Sequence, residues 1–158
     1  MIKDYVFNTK YGWVSVRYSD KGIVSLRLPL LKKPLKCFCK EKVPVGFLKK
    51  LKKDFNKYFE GKKIIFEYPL DLENYSGFFK KVWKSLMKIP YGKVISYKRL
   101  AEKIGNPNSF RAVGNALAKN PIPVIIPCHR VILSNGKLGG FSAGIKWKKR
   151  LLKIEGVL

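Results

Sequence analysis

A cysteine followed at once by the chain's single histidine is the pair of residues best suited to chemistry. Cys128 and His129 end an apolar run, residues 122–126, that prolines bracket. A thiol with a base beside it can act as a nucleophile. Pro127 cannot continue a helix or donate to a strand ladder, so we expect the chain to turn there and leave Cys128 at a loop or helix start, partly exposed and with a lowered thiol pKa. The alternative is an inert cysteine that packs at the end of a core strand.

A carboxylate near the end of the chain offers this pair a third member. The apolar residues of the last predicted helix recur at helical spacing, and Gly156 ends it: Trp147, Leu151 and Ile154. Its basic residues are expected to be exposed: Lys148, Lys149, Arg150 and Lys153. Glu155 falls in the last turn, where the helix dipole disfavours a negative charge by up to about 1 kcal/mol. It is either a tolerated surface residue or an acid that orients a cation-forming partner, of which His129 is the obvious one.

The charge of the chain indicates a large polyanion as its partner. The 158 residues carry 34 Lys and Arg against 10 Asp and Glu, a net charge of +24, whereas a magnitude of about 2 to 8 keeps a small domain in solution. Residues 74–158 hold 17 basic and 2 acidic residues, and residues 1–73 hold 17 and 8. The excess lies in the half that contains Cys128, so charge and chemistry are expected to share a surface. A lysine-rich composition inherited from the genome is the alternative, because 28 of the basic residues are Lys.

Several classes of protein are disfavoured by the composition. No apolar run reaches the roughly 20 residues of a membrane span, and the N-terminus lacks the apolar region of a signal peptide, so we expect a cytoplasmic protein without membrane contact. Cys37 and Cys39 lie in a Lys- and Pro-rich stretch and are interpreted as structural or incidental. A single His leaves no four-ligand zinc set of ordinary spacing. We therefore expect no metal and no cofactor.

The first half of the chain, residues 1–73, is predicted to be a small domain of strands and one helix. Short runs rich in β-branched and aromatic residues predict an antiparallel meander of three strands: residues 5–7, 12–18 and 22–28. Residues 31–45 predict a loop, residues 47–59 an amphipathic helix that Gly61 ends, and residues 62–66 a further strand. No catalytic constellation is visible here, and the acids are interpreted as solvated charges: Asp54, Glu60, Glu67, Asp71 and Glu73.

The second half, residues 74–158, is predicted to be mainly helical. Three helices are predicted before Cys128: residues 79–89, 97–104 and 110–119. A brief strand is expected at residues 94–95, and Ser96 and Ser109 are the expected N-caps of the second and third helices. The turn between these two helices, at residues 106–108, makes them a helix-turn-helix candidate.

The third of these helices has two different sides. Its apolar side is predicted to be buried: Phe110, Val113 and Leu117. The opposite side carries small residues and one Arg in place of the long polar side chains that read the major groove: Arg111, Gly114, Asn115 and Ala118. Such a surface can lie very close to the sugar-phosphate backbone of a nucleic acid or in a narrow groove. An ordinary helical hairpin is the alternative.

Two chemistries fit these residues. One is a thiol hydrolase that uses Cys128 and His129 with an orienting acid, and the other is transfer of a group to the thiol itself. The basic surface favours an electrophile that is part of a nucleic acid.

Residues 122–131, which end in Pro-Cys-His-Arg-Val, resemble the active-site signature of the O6-alkylguanine-DNA alkyltransferases. Further segments agree with that family in order and spacing: GKVISY at 92–97, GNP at 105–107, RAVG at 111–114, NP at 120–121, GFSAG at 140–144, LL at 151–152 and EG at 155–156. The resemblance implies an α+β fold. It implies a ribonuclease-H-like antiparallel sheet with a helix at residues 1–73, and a winged-helix-like domain with a helix-turn-helix at residues 74–158.

The activity that the resemblance implies is suicidal repair of alkylated DNA. Cys128 is implied to take the alkyl group from O6 of guanine, or from O4 of thymine, in a single turnover. His129 is implied to deprotonate Cys128 through a water, while Glu155 holds His129. Asn120 is implied to brace the active-site turn, and Tyr97 to donate to N3 of the guanine and help to rotate the nucleotide out.

The partner that the resemblance implies is double-stranded DNA, bound from the minor groove by a monomer. Arg111 is implied to fill the stack that the flipped guanine leaves, and its neighbours to allow close approach: Ala112, Gly114, Asn115 and Ala118. The pocket is implied to be lined by the carbonyls of Cys128 and Val131, by Tyr97, and by a glycine-rich loop that contains Phe141, Ser142 and Ala143.

Two residues of that loop depart from the family pattern. Phe141 stands where a Tyr is common, and Ala143 stands where many relatives have Gly, which narrows the pocket. The remaining alternative is a non-catalytic protein that binds alkylated DNA, as alkyltransferase-like proteins do. Those proteins lack the reactive cysteine, which this chain has at position 128.

Overall fold

The computed structural model describes residues 1–30 and 46–158. The chain divides into two compact units, Met1–Leu72 and Glu73–Leu158. The loop predicted at residues 31–45, together with Cys37 and Cys39, lies outside the described residues.

The first unit begins with a three-stranded antiparallel sheet, as predicted. Its strands run in the order β1-β2-β3: Lys3–Thr9, Gly12–Ser19 and Gly22–Leu30. Gly22, with φ of +146°, lies where the backbone of β3 meets residue 69, and a Cβ there would stand 2.3 Å from the carbonyl oxygen of Pro69. Only glycine fits this approach, which lets the amide of Ile23 donate to that carbonyl over 2.8 Å.

One helix, α1 (Gly46–Phe59), supplies the other layer of this unit and confirms the prediction for residues 47–59. Its apolar side is fully buried: Leu48, Leu51, Phe55, Tyr58 and Phe59. The ring centroids of Phe55 and Phe7 lie 5.8 Å apart, which joins α1 to the inner side of β1.

The strand predicted at residues 62–66 is wrong. The alternation is real, since Ile64 and Phe66 are half-buried and Ile65 is exposed. Phe66 packs against the rings of Phe55 and Tyr58 on α1, however, at 5.0 and 5.5 Å. Alternating burial along residues 64–66 shows which side of the segment packs against the protein. Here that side packs against a helix instead of a neighbouring strand.

Two of the acids interpreted as solvated are held by side chains of the same unit. Asp54 is 9% exposed, and its Oδ2 accepts hydrogen bonds from the Tyr68 hydroxyl at 2.6 Å and from the Lys50 ammonium at 3.1 Å. Asp71 accepts a hydrogen bond of 2.6 Å from the Ser19 hydroxyl. These contacts tie residues 68–71 to α1 and to the sheet.

The second unit is mainly helical, as predicted. Its helices are α2 (Gly77–Met87), α3 (Tyr97–Lys103), α4 (Phe110–Ala118) and α5 (Ile145–Ile154). A short parallel pair, β4 (Ile95–Ser96) and β5 (Val131–Ile132), joins the start of α3 to the segment that follows Cys128. Ser96 caps α3 as predicted, because its hydroxyl accepts from the Arg99 amide at 3.1 Å.

The start of α4 differs from the prediction in two respects. Ser109 makes no side-chain cap, and its hydroxyl donates instead to the carbonyl of Asn106 over 2.6 Å. Phe110 is 52% exposed, so its assignment to the buried side is wrong. Residues 105–108 are themselves exposed, and the first turn of α4 therefore projects from the core. The buried stripe of α4 is Val113, Ala116 and Leu117.

No helix within residues 1–30 and 46–158 is both long enough and apolar enough to cross a membrane.

Candidate active site

A tight turn between α4 and Cys128 is held together by one asparagine. The Asn120 amide donates to the carbonyl of Ile126 at 2.8 Å and to the sulfur of Cys128 at 3.0 Å, and its oxygen accepts from the amide of Ile122 at 2.9 Å. Val124, within the turn, has φ of +74°, which a β-branched residue rarely adopts. Such strain persists only where the surroundings impose it, and Asn120 bridges both ends of the turn.

Cys128 begins a 3₁₀ turn, Cys128–Arg130, directly after Pro127, so the expected change of direction at Pro127 is confirmed. The expected partial exposure and lowered pKa are wrong. The residue is 3% exposed, and burial raises the thiol pKa to about 11, although the Asn120 hydrogen bond and the Lys148 charge act in the opposite direction. The thiol is therefore protonated at neutral pH, and its use as a nucleophile requires a base.

His129 and Glu155 form a fully buried pair. Nε2 of His129 lies 2.7 Å from Oε1 of Glu155, so Glu155 is a buried partner of His129, and the alternative of a surface residue is wrong. Burial lowers the pKa of His129 and leaves the imidazole neutral at pH 7, against the opposing influence of Glu155. Burial alone raises the pKa of Glu155, but hydrogen bonds from His129 and Arg130, and their charges, lower it to about 2. With Glu155 ionised, Nε2 carries the imidazole proton and Nδ1 is the basic nitrogen.

Arg130 is a member of this site that the sequence did not reveal. It is 7% exposed, and its guanidinium binds both oxygens of Glu155: Nη2 donates to Oε1 and Nε to Oε2, each at 2.9 Å. Nη1 donates to the carbonyl of Ile89 at 2.6 Å, and the amide of Gly92 donates to Oε2 at 3.2 Å. The only sequence feature that pointed to a role for Arg130 in the site was its position next to the single histidine. Its bidentate pairing keeps Glu155 charged inside the protein.

Lys148 was predicted to be exposed, and this is wrong. The residue is fully buried. Its ammonium donates to the carbonyls of Val131 at 2.6 Å and Gly140 at 3.2 Å, and also to that of Leu138. Burial lowers the pKa of Lys148 to about 8. The three carbonyls replace water around the cation, and the side chain ties the glycine-rich loop to the strand that follows Cys128.

The spacing of α5 contained a signal for this burial. Residues 148, 151, 152 and 155 lie on one side of a helix, because they recur at intervals of three and four. Leu151 and Leu152 are buried, and both charged residues of that row are buried with them.

A cavity of about 290 Å³ opens onto Cys128. It is lined by residues from α3, α4, the 3₁₀ turn and the glycine-rich loop: Tyr97, Gly114, Leu117, Ala118, Cys128, Gly140, Phe141 and Ser142. Burial raises the pKa of Tyr97, so its phenol is protonated and can donate a hydrogen bond. The thiol is thus placed at a pocket that can hold a small molecule or a single base.

Other residues predicted for the site do not line this cavity. Val131 is buried beside Cys128, with its carbonyl bound by Lys148, and Ala143 is exposed on the loop. Three of the residues assigned to DNA are exposed on α4: Arg111, Ala112 and Asn115. Among the described residues, no group of three or more His, Cys, Asp or Glu side chains is placed to hold a metal ion.

Two family models match the chain, one for each unit. The model described as "6-O-methylguanine DNA methyltransferase, ribonuclease-like domain" matches residues 2–72. The model described as "6-O-methylguanine DNA methyltransferase, DNA binding domain" matches residues 77–157.

Individual proteins agree with these matches. The chain is 40% identical to a methylated-DNA–protein-cysteine methyltransferase of Sulfolobus acidocaldarius, over 99% of this chain and 95% of the relative. It is 43% identical to the protein of the same name from Saccharolobus solfataricus, over 96% of this chain and 94% of the relative. Among solved structures, that of Mycobacterium tuberculosis OGT in complex with DNA has a TM-score of 0.80 at 34% identity, covering 98% of this chain and 92% of the other. The resemblance seen around Cys128 is confirmed over the whole length, and the chain belongs to the 6-O-methylguanine DNA methyltransferase family.

Proposed function

We propose that the protein repairs DNA by moving the alkyl group from O6 of a guanine in duplex DNA to the sulfur of Cys128, once per chain. The observation that carries this proposal is the arrangement around the thiol. Cys128 lines a cavity large enough for a base, and the adjacent His129 is kept neutral by burial while the ionised Glu155 binds its Nε2. The names of the relatives, methylated-DNA–protein-cysteine methyltransferases, support the same reaction.

The proposed step begins with a proton transfer. Nδ1 of His129 takes the thiol proton through a water, and Glu155 stabilises the imidazolium that forms. The thiolate attacks the sp³ carbon, an S–C bond forms, and the C–O bond to guanine breaks with its electron pair moving to the base. Protonated Tyr97 donates toward N3 of the leaving guanine, and the Ser142 backbone faces O6, so that the charge developing there is neutralised.

A single turnover follows from the product. The sulfur becomes a thioether, which is no longer a nucleophile, and the described site contains no second thiol to accept the group. O4 of thymine carries a similar exocyclic oxygen, and we propose O4-alkylthymine as a further substrate. The carbonyls of Val131 and Cys128 are proposed to accept hydrogen bonds from the guanine amino group.

The proposed DNA surface is α4, with α3 and α4 acting as the helix-turn-helix of a domain that spans residues 74–158. Arg111 is exposed, and it is proposed to fill the stack after the nucleotide has been rotated into the pocket. Its small or polar neighbours are proposed to allow the helix to lie against the minor groove: Ala112, Gly114, Asn115 and Ala118. Phe141, which lines the cavity, is proposed to limit the size of the alkyl group, and the protein is proposed to act as a monomer.

A stoichiometry experiment tests this proposal. The protein is mixed with a large excess of duplex DNA that contains O6-methylguanine with a labelled methyl group, and protein-bound label is followed to completion. We expect a plateau of one methyl group per chain for the wild type, the same plateau reached more slowly for His129→Ala, and none for Cys128→Ser. Continued turnover would indicate a hydrolase, and tight binding of the lesion without transfer would indicate a non-catalytic binding protein.

A further inference from the structure

An exposed aromatic ring stands at the start of α4 beside the residue proposed to enter the DNA. Phe110 is the first residue of this helix and is 52% exposed, and the next residue, Arg111, is also exposed. A single exposed apolar side chain is common on protein surfaces. What distinguishes Phe110 is its place relative to the pocket and the charge around it.

The row of α4 that begins at Phe110 leads into the cavity. Residues 110, 114 and 118 are spaced by four and therefore lie along one side of the helix. Gly114 and Ala118 line the cavity that contains the sulfur of Cys128. At about 1.5 Å per residue, Phe110 is displaced by roughly 6 Å along the helix axis from Gly114. Successive bases of one strand are about 3.4 Å apart, so this displacement corresponds to one or two base steps.

The surface around Phe110 suits DNA. The described sequence of α4 contains Arg111 and no acidic residue, and residues 74–158 carry 17 basic against 2 acidic residues. Because α4 has no acidic residue, no negative charge on this helix would repel the phosphates as the Phe110 ring approaches DNA. Proteins that bind the minor groove commonly insert apolar side chains, including Phe, between base steps and thereby unstack and kink the duplex.

We propose that Phe110 is a second wedge residue, which enters the minor groove next to Arg111 and packs against the base step that neighbours the flipped nucleotide. The proposal rests on the proposed function, namely DNA binding through α4. Arg111 supplies hydrogen-bond donors to the vacated position, and Phe110 supplies a flat apolar face to the exposed neighbouring base. The ring thereby stabilises the unstacked duplex and favours the state in which the lesion lies in the pocket.

The test compares two DNA substrates that carry the same lesion. Single-turnover methyl transfer to Cys128 is measured at saturating concentrations of a duplex and of a short single strand, for the wild type, Phe110→Ala and Phe110→Leu. Loss of one base–aromatic contact is expected to slow Phe110→Ala about tenfold on the duplex. We expect little change on the single strand, where no stacked pair has to be opened, and a smaller loss for Phe110→Leu, which keeps an apolar wedge.

Two further measurements distinguish a wedge from a structural role. A 2-aminopurine base placed next to the lesion should brighten on binding of the wild type and clearly less on binding of Phe110→Ala. The thermal midpoint of Phe110→Ala should match that of the wild type, because the ring is exposed. Met87→Ala is the matched control, since Met87 is 40% exposed at the end of α2 and is outside the proposed surface.

The experiment distinguishes failure of the wedge proposal from failure of the proposed function. Equal duplex rates for Phe110→Ala and the wild type, or equal losses on duplex and single strand, would overturn the wedge while leaving methyl transfer intact. Absence of transfer by the wild type on either substrate would instead remove the proposed function on which the wedge depends.

Discussion

At the residue scale, the proposed nucleophile, Cys128, and the buried carboxylate of Glu155 are held in opposite charge states. Cys128 lies in surroundings that favour the neutral thiol, whereas Glu155 is held as an anion by Arg130 and the His129 ring. His129 follows Cys128 in the chain, and its neutral imidazole is oriented by the contact of Nε2 with Glu155. In the proposed reaction, proton transfer to His129 precedes or accompanies attack by the sulfur.

The pH profile of methyl transfer follows from the lowered pKa of His129. His129 accepts a proton only while neutral, so the rate should decline with acidification at a midpoint below pH 6.5, the ordinary histidine value. His129→Ala should reduce the rate at pH 7 by about 10² to 10⁴ and abolish this acid limb. Single-turnover rates between pH 5 and 9 provide the measurement. A wild-type midpoint above 6.5, or a limb that survives in His129→Ala, would show that another group is the base.

Arg130 is expected to contribute much more to stability than an exposed arginine. Arg130→Met leaves Glu155 buried without its cation, which should lower the free energy of unfolding by about 3 to 5 kcal/mol. The control is Arg99→Met, because Arg99 pairs with Glu102 on the surface at 3.1 Å and such pairs contribute about 0.2 to 1 kcal/mol. Urea denaturation at pH 7 compares the two variants. Equal losses would contradict a special role for the buried pair.

At the element scale, α5 is the helix that positions the site, and its role was only half predictable. The spacing of Trp147, Leu151 and Ile154 predicted the helix, but of these three only Leu151 is fully buried, and the buried row is shifted to residues 148, 151, 152 and 155. Lys148 was assigned to the surface because a lysine is buried only when specific partners replace water. Those partners are backbone carbonyls of the distant loop and strand, which no local pattern reveals.

In other elements too, local features were predictable from the sequence and contacts with distant residues were not. The three strands of the first unit and the N-cap at Ser96 follow from local residue preferences, and the structure confirms them. Residues 62–66 have the alternation of a strand but pack on α1, since periodicity reports burial without naming the partner. Phe110 was misassigned because helical spacing does not show where the core ends.

Lys148 should hold the glycine-rich loop in place. Lys148→Met removes the donor shared by the carbonyls of Val131, Leu138 and Gly140, and should lower the free energy of unfolding by about 1 to 3 kcal/mol. Amide hydrogen exchange of residues 138–142 should accelerate, and methyl transfer should slow because the loop forms a wall of the pocket. Lys149→Met, on the exposed side of the same helix, is the control. Unchanged exchange in the loop of Lys148→Met would rule out the tether.

At the scale of the whole molecule, charge should dominate the affinity for DNA. The chain carries +24, and binding that neutralises phosphates releases counterions, so affinity should fall steeply as salt rises. A protein with roughly 6 to 10 phosphate contacts loses about 10³ to 10⁵ in affinity between about 50 and 200 mM salt. Fluorescence anisotropy with an undamaged duplex measures this slope. An affinity that does not change over that range would show that the basic excess has no part in binding.

The molecule divides into two units, Met1–Leu72 and Glu73–Leu158, and the proposed reaction uses only residues of the second. Every residue of the proposed reaction lies between Tyr97 and Glu155. The sequence showed this through the lone Cys-His pair and the charge excess, whereas the buried network around Glu155 required three-dimensional contacts.

Peptide mass analysis after the reaction identifies the part of the chain that receives the alkyl group. The protein is allowed to react with duplex DNA that contains O6-methylguanine, then digested, and the peptides are compared by mass with those of unreacted protein. We predict the added mass of one methyl group on the peptide that contains Cys128, and no methylated peptide from Cys128→Ala. A methyl group on the peptide that contains Cys37 and Cys39, or methylation that persists in Cys128→Ala, would contradict the account.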